Sequence, residues 1–227
     1  MLPEIPKYQE RWIAFFDILG FRSLIKKSVD ELRLYMLVES YHDVLDKLKE
    51  KCTYYEGHEL IYQWFSDSFI FYTRDGSAQS YVIIQQVAKH FLESNIYNQI
   101  PLRGAVAFGN LYFEEDKSIV IGPSLVEAYL YCEDQEWVNI ILTPSAVDKV
   151  KRFDLILEHH SFTSENIKLN SLSSENVYAY TFCSGEANFE SPLLSCLKEM
   201  QHFAPKKAKQ KYQNTIERIT KYWKWIQ

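Results

Sequence analysis

The sequence has few of the residues on which several common kinds of functional site depend. Its 227 residues include four widely spaced cysteines with no CxxC pair, and only seven glycines. The cysteine spacing argues against a zinc site, and the lack of a recognisable signal peptide argues against a disulfide framework. There is no Gly-rich phosphate loop of the Walker type and no GxSxG motif. The sequence therefore gives no support to a P-loop nucleotidase or a serine hydrolase.

Charge and hydropathy also limit the possible partners. The formal net charge of −5 gives no general attraction for nucleic acid, so an anionic ligand would have to be held locally. No apolar run reaches the roughly 18 residues that a membrane-spanning helix needs. The 47% of hydrophobic and 15% of aromatic residues exclude a disordered chain. We therefore expect a soluble, cytoplasmic protein with no membrane and no nucleic-acid partner.

Two acidic residues stand out because each lies next to an apolar run of strand length. Asp17 lies near the end of the run that starts at Trp12, and Asp67 lies between two aromatic halves of residues 62–72. A buried carboxylate costs several kcal/mol unless a cation holds it. Two acids at strand ends suit a pair of divalent cations, provided that they meet in space. Alternatively, Asp17 caps a helix and Asp67 only forms a turn.

The hydrophobic periodicity predicts an α+β fold. Five main strands are expected, at about 12–19, 59–65, 68–73, 102–108 and 138–142. Residues 111–113 are expected to pair back on the strand before them. The order contains a ferredoxin-like βαββαβ palm, with helices on one face of a mainly antiparallel sheet. In such a layer the end of the first strand lies beside the central hairpin, which would make Asp17 and Asp67 neighbours.

Other residues near these motifs could contact an anionic ligand. Gly20 and Phe21 form the turn after the first strand, where backbone N–H groups could hold phosphate or simply lead into a helix. Arg103 starts an apolar strand and should either pair with an acid or contact a phosphate. Tyr129 and Glu133 share one helix face. They could line a nucleotide pocket or a dimer seam, or be a core Tyr and a solvated Glu.

Taken in order, these motifs resemble the class III nucleotidyl cyclase catalytic domain. The matching segments are FFDILGF around Asp17, FSDSF around Asp67, LRGAVAFG around Arg103, and the helix IGPSLVEAYLYCE. Within that superfamily the chain looks most like the bacterial pyrimidine cyclases of Pycsar anti-phage defence, which make cyclic UMP or cyclic CMP. The resemblance covers about residues 11–145.

Several departures make an adenylate or guanylate cyclase of the usual kind unlikely, and a pyrimidine cyclase fits better because the related enzymes share AYxxxE on the helix of Tyr129 and Glu133. Where purine cyclases carry a Lys before the hairpin Asp and a purine-reading Asp, this chain has Gln63 and Ile119. Their Asn and Arg that steady the transition state fall near Val126 and Leu130. One departure points the other way, because similar pyrimidine cyclases tend to have Pro-Arg at positions 138–139, where this chain has Val and Asn. If that Arg holds phosphate, activity would suffer.

The resemblance implies a two-metal cyclase. Two Mg²⁺ or Mn²⁺ ions on Asp17, Asp67 and the Ile18 carbonyl would bind the triphosphate of UTP or CTP, and one would activate the ribose 3′-hydroxyl. Arg103 would be catalytic together with the two acids. The residues implied to bind the nucleotide are Gly20, Phe21, Gln63, Tyr129 and Glu133. A homodimer with the site at its interface is also implied.

The resemblance also suggests how the chain is organised. Residues 1–150 would form the cyclase-like catalytic domain, and residues 151–227 a C-terminal extension, helical from Lys206, that packs on it. One alternative is a catalytically inactive cyclase-like module that binds a nucleotide or has a regulatory role. Another is a palm-type nucleotidyl transferase acting on nucleic acid, which the net charge of −5 disfavours.

Overall fold

The fold is built on one mixed sheet with helices on both faces. The computed structural model describes residues 8–21, 35, 38–39, 41–46, 60–154, 161–182 and 192–223. Eight strands are formed within these ranges: β1 Tyr8–Ile18, β2 Leu60–Phe65, β3 Ser68–Thr73, β4 Leu102–Glu114, β5 Ile119–Ile121, β6 Ile140–Leu142, β7 Phe162–Thr163 and β8 Tyr178–Tyr180. Their order in the sheet is β2-β3-β1-β4-β6-β8-β7, and β5 pairs with β4.

The first part of this order confirms the ferredoxin-like layer. The strands β4, β1, β3 and β2 are neighbours, and each adjacent pair is antiparallel. Strand β1 is central because it is apolar on both faces, and residues 11–16 are all buried. Beyond β4 the sheet becomes mixed, because β6 runs parallel to it.

Five α-helices are described along the same ranges. They are α1 Ala78–Tyr97, α2 Pro123–Glu133, α3 Pro144–Arg152, α4 Pro192–Phe203 and α5 Lys206–Trp223. The chain is also helical at residues 41–46, where Tyr41, Val44 and Leu45 recur at helical spacing and are buried in the core. Helix α1 begins after Ser77, whose side chain accepts a hydrogen bond from the Ser80 N–H. None of the helices in the described ranges is long and apolar enough to cross a bilayer.

The helices of the βαββαβ layer lie on one face of the sheet, as predicted, and helix α2, which lies outside that layer, covers the other face. Phe16 of β1 packs with α1 residues such as Phe91 in one core, which also takes in apolar residues of α4 and α5. Phe15 points to the other face, where it packs with Ala128 and Cys132 of α2 in a second core. The alternation of side chains along β1 explains this, because a strand that is apolar at successive positions needs cover on both faces.

The prediction that residues 111–113 form a separate strand pairing back on the one before them is wrong. Strand β4 continues through them to Glu114, and β5 pairs back on it with Tyr112 opposite Ile121. The reason is that β1 begins at Tyr8, well before the predicted start. The early part of β1 gives the extended β4 a partner, with Tyr8 opposite Tyr112.

Candidate active site

The two acids lie side by side at one end of the sheet. Asp17, near the end of β1, is opposite Ser68 of β3, and Asp67 is the residue just before it in the β2–β3 turn. The Ile18 N–H donates a hydrogen bond to the Asp67 carbonyl over 3.1 Å. Ser66 adopts φ +57°, a left-handed conformation that lets the hairpin reverse at this point. The antiparallel hairpin therefore brings together residues that are far apart in the sequence.

Arg103 links Asp17 to the end of helix α2. It lies directly opposite Asp17 in the β1–β4 register. Its Nε and Nη2 lie 3.0 Å and 2.9 Å from Asp17 Oδ2. Nη1 donates to the Glu133 carbonyl over 2.5 Å, and Nη2 also pairs with the Glu133 carboxylate. The sequence left open whether Arg103 pairs with an acid or contacts a phosphate. In the structure it forms ion pairs with two acids, Asp17 and Glu133.

The environment of Asp17 disfavours its ionised form. Burial raises the pKa of Asp17 from 3.8 to about 6, although the charge and hydrogen bonds of Arg103 act in the opposite direction. The charges of Glu133 and Asp67 raise it further. The Asp17 side chain is only 15% exposed, so water relieves little of this cost. A further cation beside Asp17 would favour the carboxylate and lower its pKa.

The donor set fits a hard divalent cation that keeps other ligands. Two carboxylates and a backbone carbonyl are the oxygen ligands that Mg²⁺ and Mn²⁺ prefer. Within the described ranges there is no group of three or more His, Cys, Asp or Glu side chains able to enclose a metal ion. An ion bound by these few oxygens would keep water or substrate phosphate as further ligands, as Mg²⁺ commonly does.

The turn after β1 has the backbone geometry of a tight reversal. Gly20 has φ +75°, a conformation in which L-residues are strained, and its position is exposed. Phe21 is partly buried and packs against the core that contains α1. The Leu19 N–H is directed away from the acids, because it donates to the Pro101 carbonyl over 2.8 Å. The N–H groups predicted to hold phosphate, from residue 22 on, lie outside the described residues.

The other predicted nucleotide contacts lie on β2 and α2. Gln63 is half-buried on β2, opposite Ile70. Tyr129 is 47% exposed and rests edge-on against the Phe15 ring, with 5.5 Å between ring centroids. Tyr129 is thus not a core residue, and Glu133 is tied to Arg103 rather than only solvated. Their roles toward a nucleotide stay predictions.

The segment in which similar pyrimidine cyclases tend to have Pro-Arg has a structural role here. Val138 and Asn139 are fully buried. The Asn139 side chain donates to the Tyr180 carbonyl over 3.1 Å and accepts from the Ile140 N–H over 2.8 Å. Asn139 is therefore engaged by the protein itself, and in this conformation it does not offer a group to a phosphate.

Two residues that support the site were not singled out from the sequence. Cys132 is buried beneath Arg103, and its thiol donates to the Arg103 carbonyl over 3.3 Å. Burial raises the pKa of this thiol well above its ordinary value, so it stays neutral. At Gly104 an added Cβ would collide with the Phe16 ring, so no larger residue fits there. The glycine next to Arg103 in the LRGA motif was the available signal for this close approach.

Comparison with known proteins shows which solved structures share this architecture. No protein-family model matches the chain, and no curated protein matches it. Among solved structures it is similar to a dimeric guanylyl cyclase domain of the RhoGC fusion protein from the aquatic fungus Blastocladiella emersonii. That similarity has a TM-score of 0.57 and 12% identity, over 77% of this chain and 98% of the other.

Two further solved structures show the same likeness. One is the catalytic core of a rhodopsin-guanylyl cyclase with converted specificity in complex with ATPαS, with a TM-score of 0.54 and 11% identity, over 76% of this chain and 95% of the other. The second is an adenylate/guanylate cyclase/hydrolase from Silicibacter pomeroyi, with a TM-score of 0.52 and 13% identity, over 76% and 96%. The chain therefore has the α+β fold of nucleotidyl cyclase catalytic domains, with a helical C-terminal extension.

Proposed function

We propose that this protein is a nucleotidyl cyclase that converts UTP or CTP to its 3′,5′-cyclic monophosphate and pyrophosphate. The observation that carries the proposal is the adjacency of Asp17 and Asp67 at one end of a cyclase-like sheet, with Arg103 paired to Asp17. The pyrimidine preference rests on the AYxxxE pattern at residues 128–133, which similar pyrimidine cyclases share, and on Gln63 and Ile119, where purine cyclases carry a Lys and an Asp. A cytoplasmic location and second-messenger synthesis in anti-phage defence belong to the same proposal and rest on the resemblance alone.

In this proposal Asp17, Asp67 and the Ile18 carbonyl hold two Mg²⁺ or Mn²⁺ ions. In a β-strand the N–H and C=O of one residue point toward the same neighbouring strand. Because the Ile18 N–H points to Asp67, we expect its carbonyl on the same side as the two acids. When bound, the metals would lower the pKa of the ribose 3′-hydroxyl and offset the charge of the leaving pyrophosphate.

Arg103 has two tasks in this proposal. Its pair with Asp17 engages Oδ2, which leaves Oδ1 to face a cation. Its delocalised positive charge also lies next to the place where negative charge would accumulate, and such preorganised charge stabilises a transition state. Gly20, Phe21, Gln63, Tyr129 and Glu133 are proposed to surround the nucleotide.

Helix α2 supports the further proposal of a homodimer. Its outward side carries Val126, Tyr129 and Leu130, which are 55%, 47% and 49% exposed, and Ile121 just before it is 65% exposed. A run of exposed apolar side chains beside a candidate site is typical of an interaction surface. The RhoGC guanylyl cyclase domain has been crystallised both as a dimer and as a monomer.

The first test is direct product analysis. Purified protein is incubated with ATP, GTP, UTP and CTP in the presence of Mn²⁺, and cyclic monophosphates are sought by mass spectrometry. We expect one cyclic pyrimidine product from the wild type and none from Asp67→Ala. Asp148→Asn is the matched control, because Asp148 is an exposed carboxylate on α3. A purine product would refute the pyrimidine preference, and equal product from wild type and Asp67→Ala would refute the metal role.

A further inference from the structure

Helix α5 of the C-terminal extension contacts the segment that follows helix α2. Residues 135–138 connect the end of α2 to β6 without forming a strand or a helix, so their backbone groups need partners from elsewhere. Four polar residues of α5 share one helix face at intervals of three and four positions: Lys211, Asn214, Thr215 and Arg218. Three of these side chains bond directly to the connecting segment.

The contacts follow one another along the segment. Lys211 Nζ donates to the Gln135 carbonyl over 3.1 Å and pairs with the Glu136 carboxylate at 3.0 Å. Asn214 Nδ2 donates to the Glu136 carbonyl over 2.7 Å. Thr215 Oγ1 accepts a hydrogen bond from the Val138 N–H over 2.9 Å and lies 3.1 Å from the Val138 carbonyl. Positions 135, 136 and 138 of the segment are therefore held by side chains of one helix, while the Glu136 N–H donates to the Lys168 carbonyl.

Thr215 is the central contact of this set. Both Thr215 and Val138 are fully buried, so neither backbone group of Val138 could turn to water instead. The Thr215 hydroxyl accepts from the Val138 N–H, and its one proton lies within reach of the Val138 carbonyl and of the Lys211 carbonyl, 3.2 Å away in its own helix. Losing this buried hydroxyl would leave the Val138 N–H unsatisfied.

On its other side the same segment is joined to the candidate site. Gln135 Nε2 donates to the Gly104 carbonyl over 2.8 Å, next to Arg103 in β4. Glu133, two positions before Gln135, holds the Arg103 guanidinium through its carbonyl and its carboxylate. Any shift of residues 135–138 would therefore move the groups that orient Arg103 toward Asp17.

We infer that Thr215 and Asn214 are positioning residues, through which the C-terminal helix fixes the Arg103–Asp17 pair. The inference rests on the proposed function where it concerns turnover, and it gives the C-terminal extension a role in the site. The two α5 residues touch neither of the proposed metal-binding acids and act only through residues 133–138. Truncating this helix is accordingly expected to impair the site even though the catalytic side chains are all in the first part of the chain.

The test compares three threonine variants of the full chain. Thr215→Val keeps the shape of the side chain and removes the hydroxyl, and Thr215→Ser keeps the hydroxyl. Thr220→Val is the matched control, because Thr220 is exposed on the same helix and its hydroxyl only donates to the Ile216 carbonyl. Each variant is examined by hydrogen–deuterium exchange of residues 132–140 and by steady-state kinetics, well below its melting temperature.

We expect Thr215→Val to speed exchange at residues 132–140 and to lower kcat by about tenfold with little change in KM, since misplaced catalytic groups reduce turnover rather than binding. Thr215→Ser and Thr220→Val should stay within about twofold of the wild type. Faster exchange with unchanged kcat would overturn the inference, and so would unchanged exchange in Thr215→Val. If Thr215→Val does not fold, Asn214→Ala, which removes one half-buried donor, replaces it.

A failure of the proposed function would look different. In that case the wild type itself would form no cyclic product from any nucleotide. The positioning inference would then be judged from exchange alone. Faster exchange at residues 132–134 in Thr215→Val would support it, and a change confined to residues 135–140 would overturn it, because the end of α2 would not have moved.

Discussion

Replacing Asp17 with asparagine is expected to stabilise the fold, although it removes a proposed metal ligand. Burial raises the pKa of Asp17 from 3.8 to about 6 in spite of the opposing charge of Arg103. A difference of this size means that the folded state disfavours the ionised carboxylate by about 3 kcal/mol at neutral pH. Asparagine has almost the same shape and does not ionise, so Asp17→Asn should avoid most of that cost.

The direction of the pH dependence follows from the raised pKa. Below about pH 3 the carboxyl is mostly protonated in both the folded and the unfolded chain, and near pH 4 the substitution should still change stability little. As the pH rises from about 4 to 6, the unfolded chain ionises first and the wild type loses stability relative to the variant. Above about pH 7 the advantage of Asp17→Asn should reach its full value, at most about 3 kcal/mol.

Urea denaturation between pH 4 and pH 8, in the presence of a chelator, measures this difference directly. The control is Asp148→Asn, which removes an exposed carboxylate and should change stability by less than about 0.5 kcal/mol at every pH. The reasoning is refuted if Asp17→Asn is less stable than the wild type at pH 8, or if its effect is the same at pH 4 and pH 8.

Three further predictions concern the metals, the ion pair and the dimer. Mn²⁺ at about 100 times its dissociation constant should stabilise the wild type by about 2.7 kcal/mol in thermal unfolding; Asp67→Asn should lose this effect, and equal stabilisation of both would contradict the metal site. Arg103→Gln should destabilise the fold by about 3 kcal/mol in urea, because it leaves the Asp17 charge buried and unpaired. Combining it with Asp17→Asn should cost less than Arg103→Gln alone, and simple additivity would count against the pair. Leu130→Glu should shift sedimentation toward the monomer without lowering the melting temperature, and an unchanged oligomeric state would exclude this face of α2 from the interface.

The hairpin could be predicted closely from the sequence because its signals are local. The aromatic halves on either side of the Ser66 and Asp67 turn alternate as strands do, and the observed strands are Leu60–Phe65 and Ser68–Thr73. The start of β1 at Tyr8 and the length of β4 could not be predicted in the same way. They depend on each other through long-range pairing, and neither end of the pair has a strong local pattern.

The cover on both faces of the sheet was indicated by the sequence but not inferred. Strand β1 was predicted to be apolar on both sides, and that property requires packing against Phe15 as well as against Phe16. The βαββαβ pattern places its own helices on one face and says nothing about α2, which follows that pattern in the sequence.

The partners of Arg103 depend on register rather than on any motif. The sequence alone did not decide whether Arg103 pairs with an acid or contacts a phosphate, because an Arg at the start of a strand can do either. Only the pairing of β1 with β4, which sets Asp17 opposite Arg103, and the end of α2 at Glu133 decide its contacts. The role of the polar face of α5 could not be predicted for a similar reason. In the sequence, Thr215 and Arg218 resemble solvent-facing helix residues, and only the fold shows their partners.

The stability cost of Asp17 bears on the choice between an enzyme and an inactive nucleotide-binding module. A buried acid that costs about 3 kcal/mol is expected where function requires it, because a neutral residue of the same shape would serve the fold better. Both hypotheses can use the acid, but for different steps: a module needs it for binding, and an enzyme needs it for turnover as well. If Mn²⁺ and a nucleotide stabilise the wild type without product, and Asp17→Asn abolishes that stabilisation, the acid serves binding alone and the module is favoured. If Asp17→Asn binds the nucleotide nearly as well as the wild type but forms no product, the unfavourable burial of the ionised Asp17 serves the chemical step.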